Sequence, residues 1–190
     1  MLRQRTFSEG STMRMLETER LILRDFVEAD WDAINGMLSD AEATRYMHFA
    51  TWAAEKRRKW LTWCLTNSQL PTPDAYNWAI VLKTTAQTIG WFGIGGASHP
   101  GVENERDFGY LLVRRAWGHG YMTEALRAVL RYEFETLGTP YISATCETAN
   151  AASARVMEKV GMQHIKTVRD ADSEGNWAER HHYAISNPKP

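Results

Sequence analysis

Two glycines one residue apart, Gly118 and Gly120, stand where an apolar strand pattern ending at Val113 gives way to a helix pattern. Leu126, Val129, Leu130, Phe134 and Leu137 recur at the spacing of one helical face, so the helix starts directly after the glycines. A glycine turn feeding a helix start leaves several backbone N–H groups unpaired, with the positive end of the helix dipole behind them. Glycine tolerates positive φ and lets a ligand approach the backbone closely. The segment Trp117, Gly118, His119, Gly120, Tyr121, Met122 is therefore a candidate anion cradle, phosphate being the usual guest. A plain strand-to-helix turn accounts for the glycines equally well. The third glycine of a dinucleotide fingerprint is absent, and no Gly-Lys-Ser/Thr follows as in a P-loop.

The chain around this turn has 190 residues, enough for one domain with a sizeable core. Its net charge of −1 gives no field that would draw it to nucleic acid or to a membrane surface. Two cysteines, Cys64 and Cys146, make no disulfide framework and lack metal-ligand spacing. His181 and His182 alternate faces of a strand and suit no shared metal, so no metal site is expected. No secretory leader or membrane span is read, and the expected setting is the cytoplasm. Residues 1–14 read as a polar, flexible tail ahead of a domain at 15–187. Of the eight tryptophans, Trp52, Trp60 and Trp63 lie close enough in sequence to line a ligand cleft.

Strands are expected at 21–24, 76–82, 88–97, 107–113, 141–146, 162–169 and 178–185. Helices are expected after an Asp30 cap, over about 52–67, from the glycine turn, and over 150–160 with Gly161 as its stop. The fold class is α+β: one mixed, mostly antiparallel sheet of about seven strands flanked by about four helices.

This ordering, with three local segments, resembles the GNAT superfamily of acetyl-CoA-dependent N-acyltransferases, and within it the ribosomal-protein N-terminal acetyltransferase (RimJ/RimL-like) group. The segments are Glu17-Thr-Glu-Arg-Leu-Ile-Leu-Arg24, Phe108-Gly-Tyr-Leu-Leu followed by Trp117-Gly-His-Gly-Tyr-Met-Thr-Glu-Ala125, and Asn150-Ala-Ala-Ser153 followed by Glu158-Lys-Val-Gly-Met162. The superfamily's pyrophosphate signature, Gln/Arg-x-x-Gly-x-Gly/Ala, is laid on Trp117 to Met122, where Trp at the first position and Met at the last depart from it. Arg114 or Arg115 can supply charge instead.

The resemblance implies a V-shaped split between the strands at 107–113 and 141–146. Acetyl-CoA is the implied co-substrate, its pantetheine lying in the V against the backbone of Leu111, Leu112 and Val113, one of whose N–H groups would polarise the thioester carbonyl. The resemblance also implies an amide contact from Asn150, otherwise a plain helix cap, and a hydroxyl from Ser153 near the departing thiolate. The tyrosine acid that many relatives carry four residues later falls on Met157. Asp107 is the candidate base, with Glu105 and His99 on the same approach. Cys146 reads as a small buried strand residue rather than a nucleophile. The acceptor is expected to be a primary amine, either a protein N-terminus or a small molecule, with specificity in 52–76 and the closing hairpin. The working unit is a monomer or homodimer. A non-catalytic acyl-CoA-binding sensor on the same fold is the alternative.

Overall fold

Leu21 and Leu23 alternate with Ile22 and Arg24, and in the computed structural model that period-2 pattern is a strand with its leucines fully buried. The structure describes residues 5–6, 12–13, 15–47, 52–70, 73, 75–96, 105–171, 175 and 177–188. His99, one of the alternative bases, lies outside the described residues.

In chain order the elements are β1 (Arg5–Thr6), β2 (Thr12–Met13), β3 (Met15–Glu17), β4 (Leu21–Asp25), α1 (Trp31–Ser39), α2 (Ala54–Ser68), β5 (Ala75–Leu82), β6 (Gln87–Gly96) and β7 (Glu105–Leu112). Then follow α3 (Tyr121–Tyr132), β8 (Tyr141–Glu147), α4 (Ala151–Lys159), β9 (Gln163–Ala171) and β10 (Trp177–Ser186). β1 and β2 pair with each other, and the remaining eight strands form one sheet in the order β3-β4-β5-β6-β7-β8-β10-β9. Every neighbouring pair in it is antiparallel except β7–β8. The strand beyond the expected seven is β3, whose three residues are too few to show a period. Its return into β4 is held by Thr18, whose hydroxyl accepts the Leu21 N–H at 2.9 Å.

The alternation along β5 divides the core. Trp78 and Ile80 join Leu126, Val129 and Leu130 of α3 on one face, while Ala79 and Val81 join Ile34 and Leu38 of α1 and Leu61 of α2 on the other. Val156 and Val160, at the C-terminal end of α4, pack on the α3 side as well. The expected α3 stripe holds through Leu130 but not to Leu137, which is exposed. The cause is a π-helical turn, Glu133–Leu137, that shifts the following residues out of phase before Gly138 ends the helix in the left-handed region.

Asp30 precedes α1 as expected but makes no cap to it. Its buried carboxylate instead accepts both terminal nitrogens of Arg24 (2.7 and 2.9 Å), the Thr88 hydroxyl (2.6 Å) and the Val27 N–H (2.9 Å). Burial pushes this carboxyl up, but the Arg24 and Thr88 bonds outweigh it and hold it below the usual value.

The feature that positions the site is the parallel pair. β7 and β8 share three rungs, Glu105 with Tyr141, Arg106 with Ile142 and Asp107 with Ser143. Past Asp107, β7 continues along β6 while β8 continues along β10, and the two arms diverge into the expected V.

Candidate active site

Backbone direction decides which residues of β7 line the V. Val113 donates its N–H to the Ile89 carbonyl at 2.9 Å and accepts the Ala116 N–H at 2.9 Å, so its N–H, and by alternation the polar groups of Leu111, turn toward β6. The groups of Tyr110 and Leu112 point the other way, across the V. Of the three residues expected to face the pantetheine, Leu111 and Val113 thus have their N–H groups turned into the sheet, and Leu112 has its N–H turned into the V. The Leu112 carbonyl is also taken, by the Trp117 indole N–H at 2.9 Å. What remains for an extended ligand is the N–H of Leu112 and both polar groups of Tyr110.

Beyond β7, a 3-10 turn at Arg114–Ala116 leads into the glycine loop. Gly118 and Gly120 both sit at positive φ, 76° and 77°. A side chain there would strain the backbone, which is why glycine is required at both positions. Among the described residues, the N–H groups of Gly118, His119 and Gly120 have no backbone acceptor. The polar lining thus fits a diphosphate at the loop and an amide-bearing arm along β7. The two positive-φ residues also offer a second register for the phosphate signature. Placing its glycines on Gly118 and Gly120 starts it at Arg115 and gives Arg115-Ala-Trp-Gly-His-Gly120 with no departure. Trp117 is then a spacer that braces Leu112. Met122 is buried in the core, so it can offer only its backbone. Tyr121 is half-buried, its ring stacked on His119 with centroids 5.5 Å apart.

The other arm of the V ends at α4. Asn150 caps that helix, its side-chain oxygen accepting the Ser153 N–H at 3.2 Å, which leaves the amide hydrogens outside the cap. Ser153 meets a partner that the sequence did not disclose: its Oγ lies 2.8 Å from the Tyr110 hydroxyl, directly across the V. Cys146 completes the cluster, within hydrogen-bonding reach of Ser153. Burial pushes the Cys146 thiol up to about 11, and the Ser153 bond only partly offsets this. At neutral pH it is a protonated thiol and a poor nucleophile. Met157, at the tyrosine position of relatives, is buried among Ala144, Cys146, Met162 and Tyr183.

Phe108, Tyr110 and Leu112 pack toward α3, whereas Leu111 packs toward α1 and α2. By alternation Asp107 points to the α1/α2 face, opposite the Tyr110–Ser153 pair, and stands exposed on the rung where the V opens. Glu105, two residues before, is buried.

The segment at 40–47 bridges the two arms. Asp40 accepts Arg114 Nε at 2.7 Å beside the β7 arm, and the Tyr46 hydroxyl donates to the Ala149 carbonyl at 3.1 Å beside α4. A cavity of about 440 Å³ opens on the β7 side of this bridge, lined among others by Asp32, Gly36, Asp40, Val113, Arg114 and Arg115. Nothing in the local sequence marks 40–47, whose bridging bonds reach residues far along the chain. Nor do Trp52, Trp60 and Trp63 form one cleft. Trp60 packs edge-on to Phe26 and Trp91, both at 5.6 Å, as core, Trp52 lies half-buried under Lys56, and Trp63 is exposed. Among the described residues no three His, Cys, Asp or Glu gather as metal ligands, and no helix is long and apolar enough to cross a membrane.

The acetyltransferase (GNAT) domain family matches residues 20–163. The uncharacterized N-acetyltransferase p20 of Bacillus licheniformis is 30% identical over 159 residues, covering 83% of this chain and 87% of that protein. The crystal structure of a GNAT-family acetyltransferase from Bacillus anthracis superposes with a TM-score of 0.78 at 26% identity, covering 92% of this chain and 99% of the other. The fold is also that of Mycobacterium smegmatis RimJ in complex with CoA-disulfide, with a TM-score of 0.74 at 19% identity over 92% of this chain and 86% of that one.

Proposed function

The chain belongs to the acetyltransferase (GNAT) family, and we propose that it moves acetyl from acetyl-CoA to a primary amine, a protein N-terminus or a small amine, by direct transfer in a ternary complex. The observation that carries this reading is the open V with different chemistry on its two sides: a carboxylate on one face of β7, a paired phenol and hydroxyl on the other, and a cradle of unpaired N–H groups at its end. In this reading the loop from Arg115 to Met122 takes the diphosphate. Asn150 and the V-facing backbone of Tyr110 and Leu112 hold the pantetheine arm. One of those backbone N–H groups faces the thioester oxygen as negative charge gathers there; losing such a donor typically costs about 3 kcal/mol of barrier.

The amine arrives on the α1/α2 face beneath the 40–47 bridge. Asp107, directly or through water, takes its proton, and the freed lone pair attacks the carbonyl carbon. The carbon–sulfur bond then breaks on the side of Ser153, whose hydroxyl supplies a hydrogen bond to the thiolate. The high proton affinity of Cys146 favours direct transfer over an acetyl-cysteine route. Residues 15–187 carry the activity.

The test is thiol release from acetyl-CoA measured against a panel of amines, including peptides with free N-termini and polyamines. Amine-dependent thiol release with a mass gain of one acetyl group on the amine is the expected result. Tight coenzyme A binding with no turnover on any amine would refute transfer and leave only an acyl-CoA sensor.

A further inference from the structure

The glycine loop does not orient itself. In a trans peptide the carbonyl of one residue and the N–H of the next point in opposite directions. Two carbonyls of this loop are held by side chains. The His119 carbonyl accepts Arg20 Nη1 at 3.0 Å, and the Trp117 carbonyl accepts the His119 ring Nδ1–H at 2.7 Å. Holding those two oxygens turns the N–H groups of Gly120 and Gly118 to the opposite side of the loop.

Arg20 comes from the turn between β3 and β4, and it is braced in its turn. Its Nε and Nη2 both lie 2.7 Å from one oxygen of Glu124, in the first turn of α3. The other Glu124 oxygen accepts the Arg20 backbone N–H at 2.8 Å and the Thr18 hydroxyl at 2.6 Å. The guanidinium also covers the Tyr121 ring, 4.6 Å from its centroid. Glu124 is half-buried: burial pushes its carboxyl up, and the Thr18 and Arg20 bonds more than offset that. With a carboxylate in direct contact, Arg20 brings little net charge to the loop; what it brings is geometry, through a planar fork that bonds Glu124 and the His119 carbonyl together.

We propose that Arg20, braced by Glu124 and Thr18, is a positioning residue for the diphosphate of the acetyl donor: it holds the His119 peptide so that the Gly120 N–H faces the anion. The proposal rests on the acetyl-transfer reading above. It also assigns a task to the opening segment at 17–24, which the sequence marked without a role.

The experiment compares kcat/KM for acetyl-CoA with kcat/KM for acetyl-pantetheine, which carries the same thioester and no diphosphate. The readout is the ratio of the two. In Arg20→Met the preference for acetyl-CoA falls on the order of 10-fold, the size expected for one charge-assisted hydrogen bond. Arg20→Lys recovers little of it, because an ammonium cannot bond both partners as a fork. Glu124→Gln, which leaves the guanidinium in place and weakens its brace, shifts the ratio the same way. If both donors lose equally, Arg20 only supports the fold and the proposal is overturned. Full recovery by lysine overturns it in favour of simple charge. Should Arg20→Met fail to fold, an unchanged ratio in folded Glu124→Gln overturns it as well. A wild-type protein that turns over neither donor sinks the acetyl-transfer reading itself, a result distinct from all of these.

Discussion

Tyr110→Phe removes one hydroxyl and keeps the ring that packs against Phe92 and Phe108. The lost contact is the 2.8 Å bond to Ser153 Oγ. Burial raises the Tyr110 phenol far above the neutral range, and the Ser153 bond offsets this only in part, so the phenol keeps its proton at neutral pH. A phenol that stays protonated can donate to Ser153 Oγ, which frees the serine hydrogen for a sulfur in the V. A neutral hydrogen bond of this kind contributes about 1 kcal/mol, or roughly 5-fold. The expected result is a kcat at saturating acetyl-CoA about 5-fold below wild type, with KM for acetyl-CoA little changed. The melting temperature falls by roughly 2–4 °C for the same ~1 kcal/mol. Ser153→Ala removes the donor to the thiolate itself and loses somewhat more, of order 10-fold, the low end for a hydrogen bond to a charged group. The decisive measurement is the double variant. If Tyr110 acts through Ser153, adding Tyr110→Phe to Ser153→Ala lowers kcat no further. Losses that multiply across the pair, or a wild-type kcat in folded Tyr110→Phe, refute the coupling.

Asp107→Asn is expected to lower kcat/KM by at least about 100-fold, most at low pH where fewer amines are already deprotonated; a pH–rate profile that overlays wild type moves the base to Glu105 or His99. Cys146→Ala is expected to stay within about threefold of wild-type turnover, because direct transfer needs no nucleophile there; an acetyl group trapped on Cys146 during turnover would overturn the mechanism. Asp30→Asn breaks a buried ion pair with Arg24 and is expected to cost about 3 kcal/mol, roughly 6–12 °C in melting temperature by scanning calorimetry. Since the folded-state pKa of Asp30 is depressed, its contribution is complete above the unfolded value near ~4 and is lost as pH falls through the folded value, so the gap between wild type and variant should close in acid. A gap of constant size down to pH ~3 contradicts that assignment.

Local spacing determined a good deal of this protein. The 3.6-residue recurrence gave α3 its buried face, the period-2 runs gave the long strands, and the two glycines gave a positive-φ loop at a helix start. Asn150 was legible as a cap because a cap is a contact three residues long. β3 escaped because three residues carry no period, and Asp30 was misassigned because the partners that win its carboxylate, Arg24 and Thr88, are set by packing of the sheet. The same reason covers the site. Tyr110 and Ser153 are 43 positions apart, and Arg20 and Glu124 are 104 apart. No local pattern pairs them, since each pair meets only after β7 and β8 part and the turn before β4 closes on α3. Side-chain spacing also says nothing about which edge of a strand points its N–H groups into a gap. That depends on which neighbour takes the ladder bonds, and here β6 takes those of Leu111 and Val113 and leaves Tyr110 and Leu112 facing the V. Sequence periodicity records a residue's burial; tertiary structure alone decides which distant groups share a bond, because a partner is chosen by where the folded backbone brings it.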